Sequence, residues 1–153
     1  MFTSIFPLLF YLSRKVGQDA HIFVSENERN MIEQYKNTIK GIAEQMPDGF
    51  TFNPRRNTMQ KGGYAVATID TQDCIGNAGL FRVLKYCSKH PEYCIGGWCN
   101  ENGQMQYDAS IVFTNIADAI AAAVENKQKA IFNLYTGMAI PECEYYMYCT
   151  CVA

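Results

Sequence analysis

Three aspartates, Asp70, Asp73 and Asp108, come closest in this sequence to a chemical site. Asp70 and Asp73 follow a predicted strand at residues 64–69, and Asp108 lies in a predicted strand at residues 105–113. If these two strands are neighbours in a sheet, the three carboxylates meet at one end of it. Paired carboxylates can perform acid–base chemistry or hold a hard cation, although Asp73 is also well placed to cap a turn.

Cysteine and histidine offer two further chemistries. Cys74 precedes a predicted helix, whose N-terminal dipole can lower the pKa of a thiol, but neither histidine of the chain is expected near it to act as a base. The candidate zinc ligands are Cys87, His90, Cys94 and Cys99. Their spacing is not that of a standard zinc motif, and Cys94 and Cys99 should point to opposite sides of one strand. We therefore expect no metal and no cofactor.

The elements that must position these residues follow one another as strand, helix, strand, hairpin, strand, helix and strand. The predicted strands cover residues 64–69, 93–99, 105–113 and 130–135, with an Asn-Gly turn in the hairpin. Asn77 and Asn115 are expected to cap the two helices, and Asn126 to end the second in a left-handed conformation. With right-handed crossovers, this order predicts an α+β fold, a ferredoxin-like βαββαβ two-layer sandwich with two helices on an antiparallel sheet.

Segments on both sides extend this module, so three parts are predicted: residues 1–48, 49–136 and 137–153. An N-terminal amphipathic helix should begin after Ser25, and its apolar stripe within residues 26–46 should pack on the module or on a second copy of the protein. Residues 49–63 are interpreted as a connector, and the aromatic, cysteine-rich tail as a candidate edge strand. The apolar run at residues 1–12 is too short to span a membrane. Translation starts at Met1 or, alternatively, at Met31.

The composition of the chain disfavours several classes of protein. Its 153 residues fit one domain of ordinary size, and 13 basic against 15 acidic residues give a net charge of -2. This balance lacks the positive charge of a nucleic-acid binder. Seven cysteines, an odd number in two clusters, indicate reduced thiols in a cytoplasmic protein instead of a disulfide framework. The glycines are too far apart for a nucleotide-binding loop.

Five phrases occur in order between about residues 49 and 136: GFTFNP, GGYAVATIDTQDCIGNAGL, GGW, YDAS and NKQKAIFNL. This pattern resembles a family of uncharacterised small proteins from gut bacteria, their phages and other mobile elements. The resemblance implies no known activity. A host-modulating or element-maintenance role follows from it as a hypothesis.

The sequence therefore predicts a small binding protein without enzymatic activity, whose partner is an unknown protein. The expected binding residues lie in the loop after the first strand of the module and on the open sheet face: Thr71, Gln72, Asp73, Asn77, Trp98, Tyr107 and Asp108. The alternative is a small enzyme or ligand-binding protein with its site at the ends of strands one and three. A deep pocket holding Asp73, Cys74 and Asp108 would favour this alternative, whereas a flat apolar patch would favour protein binding.

Overall fold

The computed structural model describes residues 25–149. The apolar run at residues 1–12 and the last four residues of the tail lie outside this part. Within it, the chain has an α+β architecture with four α-helices and one curled, eight-stranded antiparallel sheet. No helix among these residues is long and apolar enough to cross a membrane.

The helices are α1 (Glu26–Gln45), α2 (Gly76–Lys89), α3 (Ile116–Glu125) and α4 (Tyr145–Cys149), and short 3-10 turns cover Ile69–Thr71 and Glu142–Glu144. The strands are β1 (Phe50–Asn53), β2 (Thr58–Met59), β3 (Tyr64–Ala67), β4 (Cys74–Ile75), β5 (Cys94–Cys99), β6 (Met105–Phe113), β7 (Ala130–Asn133) and β8 (Met138–Pro141). Their order across the sheet is β2-β1-β5-β6-β3-β7-β8. The short strand β4 resumes the pairing with β6 after the 3-10 turn that interrupts β3.

The helices pack on one face of the sheet in two groups. Under α1 and α2 lies a core cluster that includes Phe52, Ile95 and Ala109. Under α3 and α4 lies a second cluster that includes Val66 and Ile131. Side chains alternate between the two faces of a strand, and directly paired residues share a face. The registers place both clusters on the same face and leave the other face without helices.

Helix α1 begins at a side-chain cap. The hydroxyl of Ser25 accepts a hydrogen bond from the backbone N–H of Glu28 at 3.2 Å. The Glu28 carboxylate in turn accepts a hydrogen bond from Ser88 of α2 at 3.1 Å, which joins the two helices. Ile32 and Ile39 of the predicted apolar stripe are buried in the cluster under α1 and α2, so this stripe packs on the chain itself.

The structure corrects the interpretation of residues 49–63 as a connector. β1 pairs with β5 inside the sheet, because Phe50 and Phe52 alternate onto the helix-covered face and are both buried. At the opposite edge, β8 pairs with β7, so the expected edge strand in the tail is present.

The three predicted asparagine roles have different outcomes. Asn115 caps α3, since its side chain accepts a hydrogen bond from the N–H of Ala117 at 2.7 Å. Asn77 does not cap α2, because that helix starts at Gly76, two residues earlier than predicted, and Ile75 occupies the cap position without a side-chain bond. Asn126 does not take the left-handed conformation that ends α3; the next residue, Lys127, takes it with φ of 53°.

The sheet curls strongly about the face that carries no helices. β1 and β7 are four strand spacings apart in the sheet order, which is about 19 Å in a flat sheet. Nevertheless, a Cβ placed on Gly49, just before β1, would lie 3.9 Å from the ring atom Cζ of Phe132 on β7. The curl therefore makes this face concave and brings its two sides together at Phe132.

Candidate functional site

The concave face holds a cavity of about 650 Å³, which is within the size range of sites for small molecules. We call it the concave cavity. Its floor is formed by every second residue of the central strands: Thr51, Ala65, Ala67, Gly96, Asp108 and Ser110. All of these side chains except Asp108 are small, and this leaves the curled face hollow.

Three loops and two aromatic residues surround this floor. Asp48 and Gly49 border the cavity before β1, residues 71–73 border it before β4, and residues 127–129 border it before β7. Phe132 spans the gap toward Gly49. Trp98 also lines the cavity, and 42 % of its surface remains exposed.

Asp108 is the carboxylate on the cavity floor. Ser110, two residues further along β6 on the same face, donates a hydrogen bond from Oγ to Oδ1 of Asp108 at 2.5 Å. The carboxylate lies against Gly96 on β5, where an added Cβ would come within 3.0 Å of Cγ of Asp108. Burial raises the pKa of Asp108, and the hydrogen bond from Ser110 lowers it in part. This group can accept a hydrogen bond from a ligand or, when protonated, donate one.

The predicted binding loop divides into structural and exposed residues. Thr71 is buried, and its Oγ1 accepts a hydrogen bond from the N–H of Ala109 at 2.9 Å, in the gap between β3 and β4. Its hydroxyl is thus committed to the strand ladder. Gln72 and Asp73 are exposed and line the cavity, and Asp73 adopts a left-handed conformation with φ of 57°.

Residues 127–129 are fixed to the elements on both sides of them. The side chain of Asn126 accepts a hydrogen bond from the N–H of Ile69 at 3.2 Å, which ties the end of α3 to the 3-10 turn after β3. The hydroxyl of Tyr145 donates to the carbonyl of Gln128 at 3.4 Å. The cavity therefore has an anchored border on the side where Lys127 and Lys129 line it.

Six of the predicted binding residues border the concave cavity: Thr71, Gln72, Asp73, Trp98, Tyr107 and Asp108. Asn77 does not, and it lies exposed in the first turn of α2. The prediction that Tyr107 offers an exposed aromatic ring is wrong. Only 5 % of Tyr107 is exposed, because strand alternation turns it toward the helices while Asp108 faces the cavity. Burial also raises the pKa of the Tyr107 hydroxyl.

The thiol chemistry considered for Cys74 does not fit its surroundings. Cys74 is completely buried and is not among the residues that line the cavity. Burial raises the pKa of this thiol, Asp108 and Asp73 raise it further, and Arg82 lowers it. A buried thiol with a raised pKa is a poor nucleophile, so these surroundings disfavour the predicted activation of Cys74.

The four candidate zinc ligands do not converge. Cys87 is buried in the cluster under α1 and α2, whereas Cys94 and Cys99 lie at opposite ends of β5, about 16 Å apart along the strand. Nδ1 of His90 faces the Glu92 carboxylate at 3.7 Å. Across residues 25–149, no group of three or more histidine, cysteine, aspartate or glutamate side chains could hold a metal ion.

The three aspartates separate into one outer residue and two cavity residues. Asp70 is exposed, and its carboxylate accepts a hydrogen bond from the hydroxyl of Tyr86 on α2 at 3.3 Å. Asp73 and Asp108 both border the concave cavity. Of the three aspartates predicted to lie together, only Asp73 and Asp108 therefore share the cavity.

Several cavity residues were not identified from the sequence: Thr51, Gly96, Ser110, Lys127, Lys129 and Phe132. The sequence feature that marks this cavity is the occurrence of small residues at every second position of a strand, as at Ala65 and Ala67. The residue between them, Val66, is larger and is buried on the other face. Such a pattern indicates a hollow face only when the registers of the neighbouring strands are known.

Comparison of the chain with protein-family models, with curated proteins and with solved structures found no match. No relative therefore assigns a function to the concave cavity. Its function is inferred from its own shape and chemistry.

Proposed function

We propose that this protein binds a small organic molecule in the concave cavity and does not transform it. The observation that carries this proposal is the cavity of about 650 Å³ on the helix-free face, with small side chains and the Asp108 carboxylate on its floor. A concave site of this size suits a small ligand better than the flat apolar patch expected for a protein partner. Catalysis by a thiol nucleophile or an imidazole base is disfavoured, because no histidine or cysteine is among the lining residues in the described part of the chain.

We also propose that the central part of the fold is ferredoxin-like. The order β5-β6-β3-β7, antiparallel throughout, with α2 and α3 as the two crossovers, supports this assignment. In this description β1 and β2 extend one edge of the sheet and β8 extends the other. These additions lengthen the sheet, and its curl then creates the cavity.

The proposal is tested by fluorescence titration of the full chain with N-phenyl-1-naphthylamine, an uncharged aromatic probe. We expect saturable one-to-one binding to the wild-type protein. Ala67→Phe should fill the cavity floor and weaken binding at least about tenfold, because it removes the volume that the probe needs. Ala121→Phe, at an exposed position of α3, is the matched control and should bind as the wild type does.

A second cavity-filling variant keeps the test decisive if Ala67→Phe does not fold. This variant is Ala139→Trp. Ala139 is exposed on the edge strand β8, where a large side chain disturbs the core less than it would at Ala67. Circular dichroism and thermal unfolding establish which variants are folded. The proposal is wrong if the wild type does not bind the probe, or if both folded cavity-filling variants bind it unchanged.

A second candidate function is protein binding: this protein, encoded by a phage or mobile element, would act in the cytoplasm on a host protein. The observation that favours it is the exposure of Trp98, since exposed tryptophan is a common anchor residue of protein interfaces. Tagged wild-type protein would then retain one stoichiometric partner from host lysate. Trp98→Ala should lose that partner and Ala67→Phe should keep it. If both variants keep the partner, this candidate is contradicted.

A further inference from the structure

We infer that the ligand of the concave cavity is a small organic anion, and that Lys127 and Lys129 hold its acidic group. This inference rests on the proposed function and specifies the ligand class of the same site. It is carried by the backbone conformation of Lys127, by the anchoring of residues 127–129, and by the presence in the lining of two lysines that have no carboxylate partner.

The conformation of Lys127 is unfavourable for lysine. It occupies the position just after the end of α3, where the N–H of Lys127 donates to the carbonyl of Val124 at 3.1 Å and that of Gln128 donates to Ala123 at 2.8 Å. These two bonds form a Schellman motif, in which the left-handed residue is usually glycine. The φ of 53° at Lys127 makes a residue with a Cβ less stable here than glycine. A function for the side chain accounts for lysine at this position.

The segment that carries both lysines is anchored before any ligand binds. Besides the bonds of the Schellman motif, the N–H of Glu142 donates to the carbonyl of Lys129 at 2.8 Å. The hydroxyl of Tyr145 donates to the carbonyl of Gln128. An anchored backbone loses little conformational entropy when its exposed side chains engage a ligand.

Neither lysine has a carboxylate partner in the described part of the chain, where the ion pairs are Glu33 with Lys36 and Glu92 with His90. Both lysines line the cavity, and each ammonium group offers three hydrogen-bond donors. An anionic group on the ligand would satisfy these donors with charge-assisted hydrogen bonds.

The remaining lining specifies the other parts of such a ligand. Asp108 and the exposed Asp48 and Asp73 are acceptors and would repel a second anionic group. Phe132 offers an aromatic surface between the two sides of the cavity. We therefore expect one acidic group, a flat apolar part and a hydrogen-bond donor directed at Asp108.

The probe 1-anilinonaphthalene-8-sulfonate has all three features, and N-phenyl-1-naphthylamine is the same ring system without the sulfonate. The test compares both probes on the wild type and on the double variant Lys127→Gly, Lys129→Gln. Glycine suits the left-handed conformation, so this variant should fold. Lys61→Gln, which removes an exposed lysine that does not line the cavity, is the control.

We expect the double variant to bind the sulfonate probe about ten- to a hundredfold more weakly and the uncharged probe within about twofold of the wild type. The control should bind both probes as the wild type does. Benzoate and phenyl phosphate, used as competitors, distinguish a carboxylate from a phosphate ligand, and displacement by either one supports the inference.

Equal affinity of the double variant and the wild type for the sulfonate probe would overturn the inference, as would displacement by neither competitor. If the uncharged probe still binds and cavity-filling variants still block it, the proposed small-molecule function stands and only the assignment of an anion fails. If neither probe binds the wild type, both proposals fail.

Discussion

The carboxylate of Asp108 lies against Gly96 of the neighbouring strand, in the place where any side chain at position 96 would begin. A glycine in the middle of a strand weakens it, since glycine has more backbone freedom to lose and no side chain to pack. Here it makes room for the one charged group on the cavity floor. The depth of the cavity and the position of its carboxylate thus depend on the same pair of residues.

Gly96→Ala should therefore destabilise the protein by about 1–3 kcal/mol, because the added Cβ displaces the Asp108 carboxylate. Urea denaturation measures this change. The control is Gly41→Ala in α1, where an added Cβ meets nothing within 4 Å and should stabilise by about 0.5–1 kcal/mol. In an Asp108→Ala background the cost of Gly96→Ala should largely disappear. An undiminished cost in that background would show that the two residues are not coupled.

The contribution of Asp108 to stability should fall as the pH rises. A carboxylate whose pKa is lowered by folding contributes in the opposite sense. The folded pKa of Asp108 is raised above the ordinary value of 3.8, so the native state binds this proton more tightly than the unfolded state does. The resulting contribution to stability is complete below the unfolded pKa and is lost as the pH rises through the folded pKa.

Asp108→Asn removes this titration. The free energy of unfolding of the wild type minus that of the variant should therefore fall as the pH rises above about 3.8, by at most about 1.4 kcal/mol per pH unit. Urea denaturation of both proteins between about pH 4 and pH 7 tests this. A difference that rises with pH would mean that the folded pKa is lowered.

Lys127→Gly should stabilise the protein by about 1 kcal/mol, since glycine adopts the left-handed conformation without steric cost. Thermal unfolding measures the gain. Lys129→Gly is the matched control, because Lys129 has no positive φ and glycine there should give no stabilisation. Equal effects of the two substitutions would remove the argument that lysine 127 is retained for its side chain.

Alkylation should divide the six cysteines within residues 25–149 into two groups. Cys99, Cys143 and Cys149 are exposed and should react with iodoacetamide in the native protein. The buried cysteines should react only after unfolding: Cys74, Cys87 and Cys94. Burial raises the pKa of Cys87 to about 12, which slows its reaction further. Mass spectrometry of digests identifies the labelled sites, and rapid labelling of native Cys74 would revive it as a nucleophile.

Much of the central module was predictable because its signals are local. The alternation over β6 and the cap at Asn115 depend on residues close to one another in the chain, and both appear where the sequence indicates them. The sequence also associates Asp73 with Asp108, and both border the concave cavity. The choice of Tyr107 as a binding residue conflicted with that alternation, which places it on the face opposite Asp108.

The curl of the sheet could not be predicted in this way, because it depends on contacts between distant segments. The alternation of Phe50 and Phe52 does not by itself distinguish a strand from an extended connector, since β5, the pairing partner of β1, lies more than forty residues away. The close approach of the Phe132 ring to the position of a Cβ on Gly49 joins two segments more than eighty residues apart. The cavity is thus a property of the tertiary structure, and so is the inclusion of Lys127 and Lys129 in its lining.

The most direct test of the concave cavity as a binding site is a ¹H–¹⁵N NMR titration of the full chain with N-phenyl-1-naphthylamine. Binding in the cavity predicts that the largest shift changes occur at Thr51, Gly96, Asp108, Ser110 and Phe132. Largest changes at exposed apolar residues of the helix layer, such as Phe81 and Val124, would contradict the assignment of the concave face as the binding site.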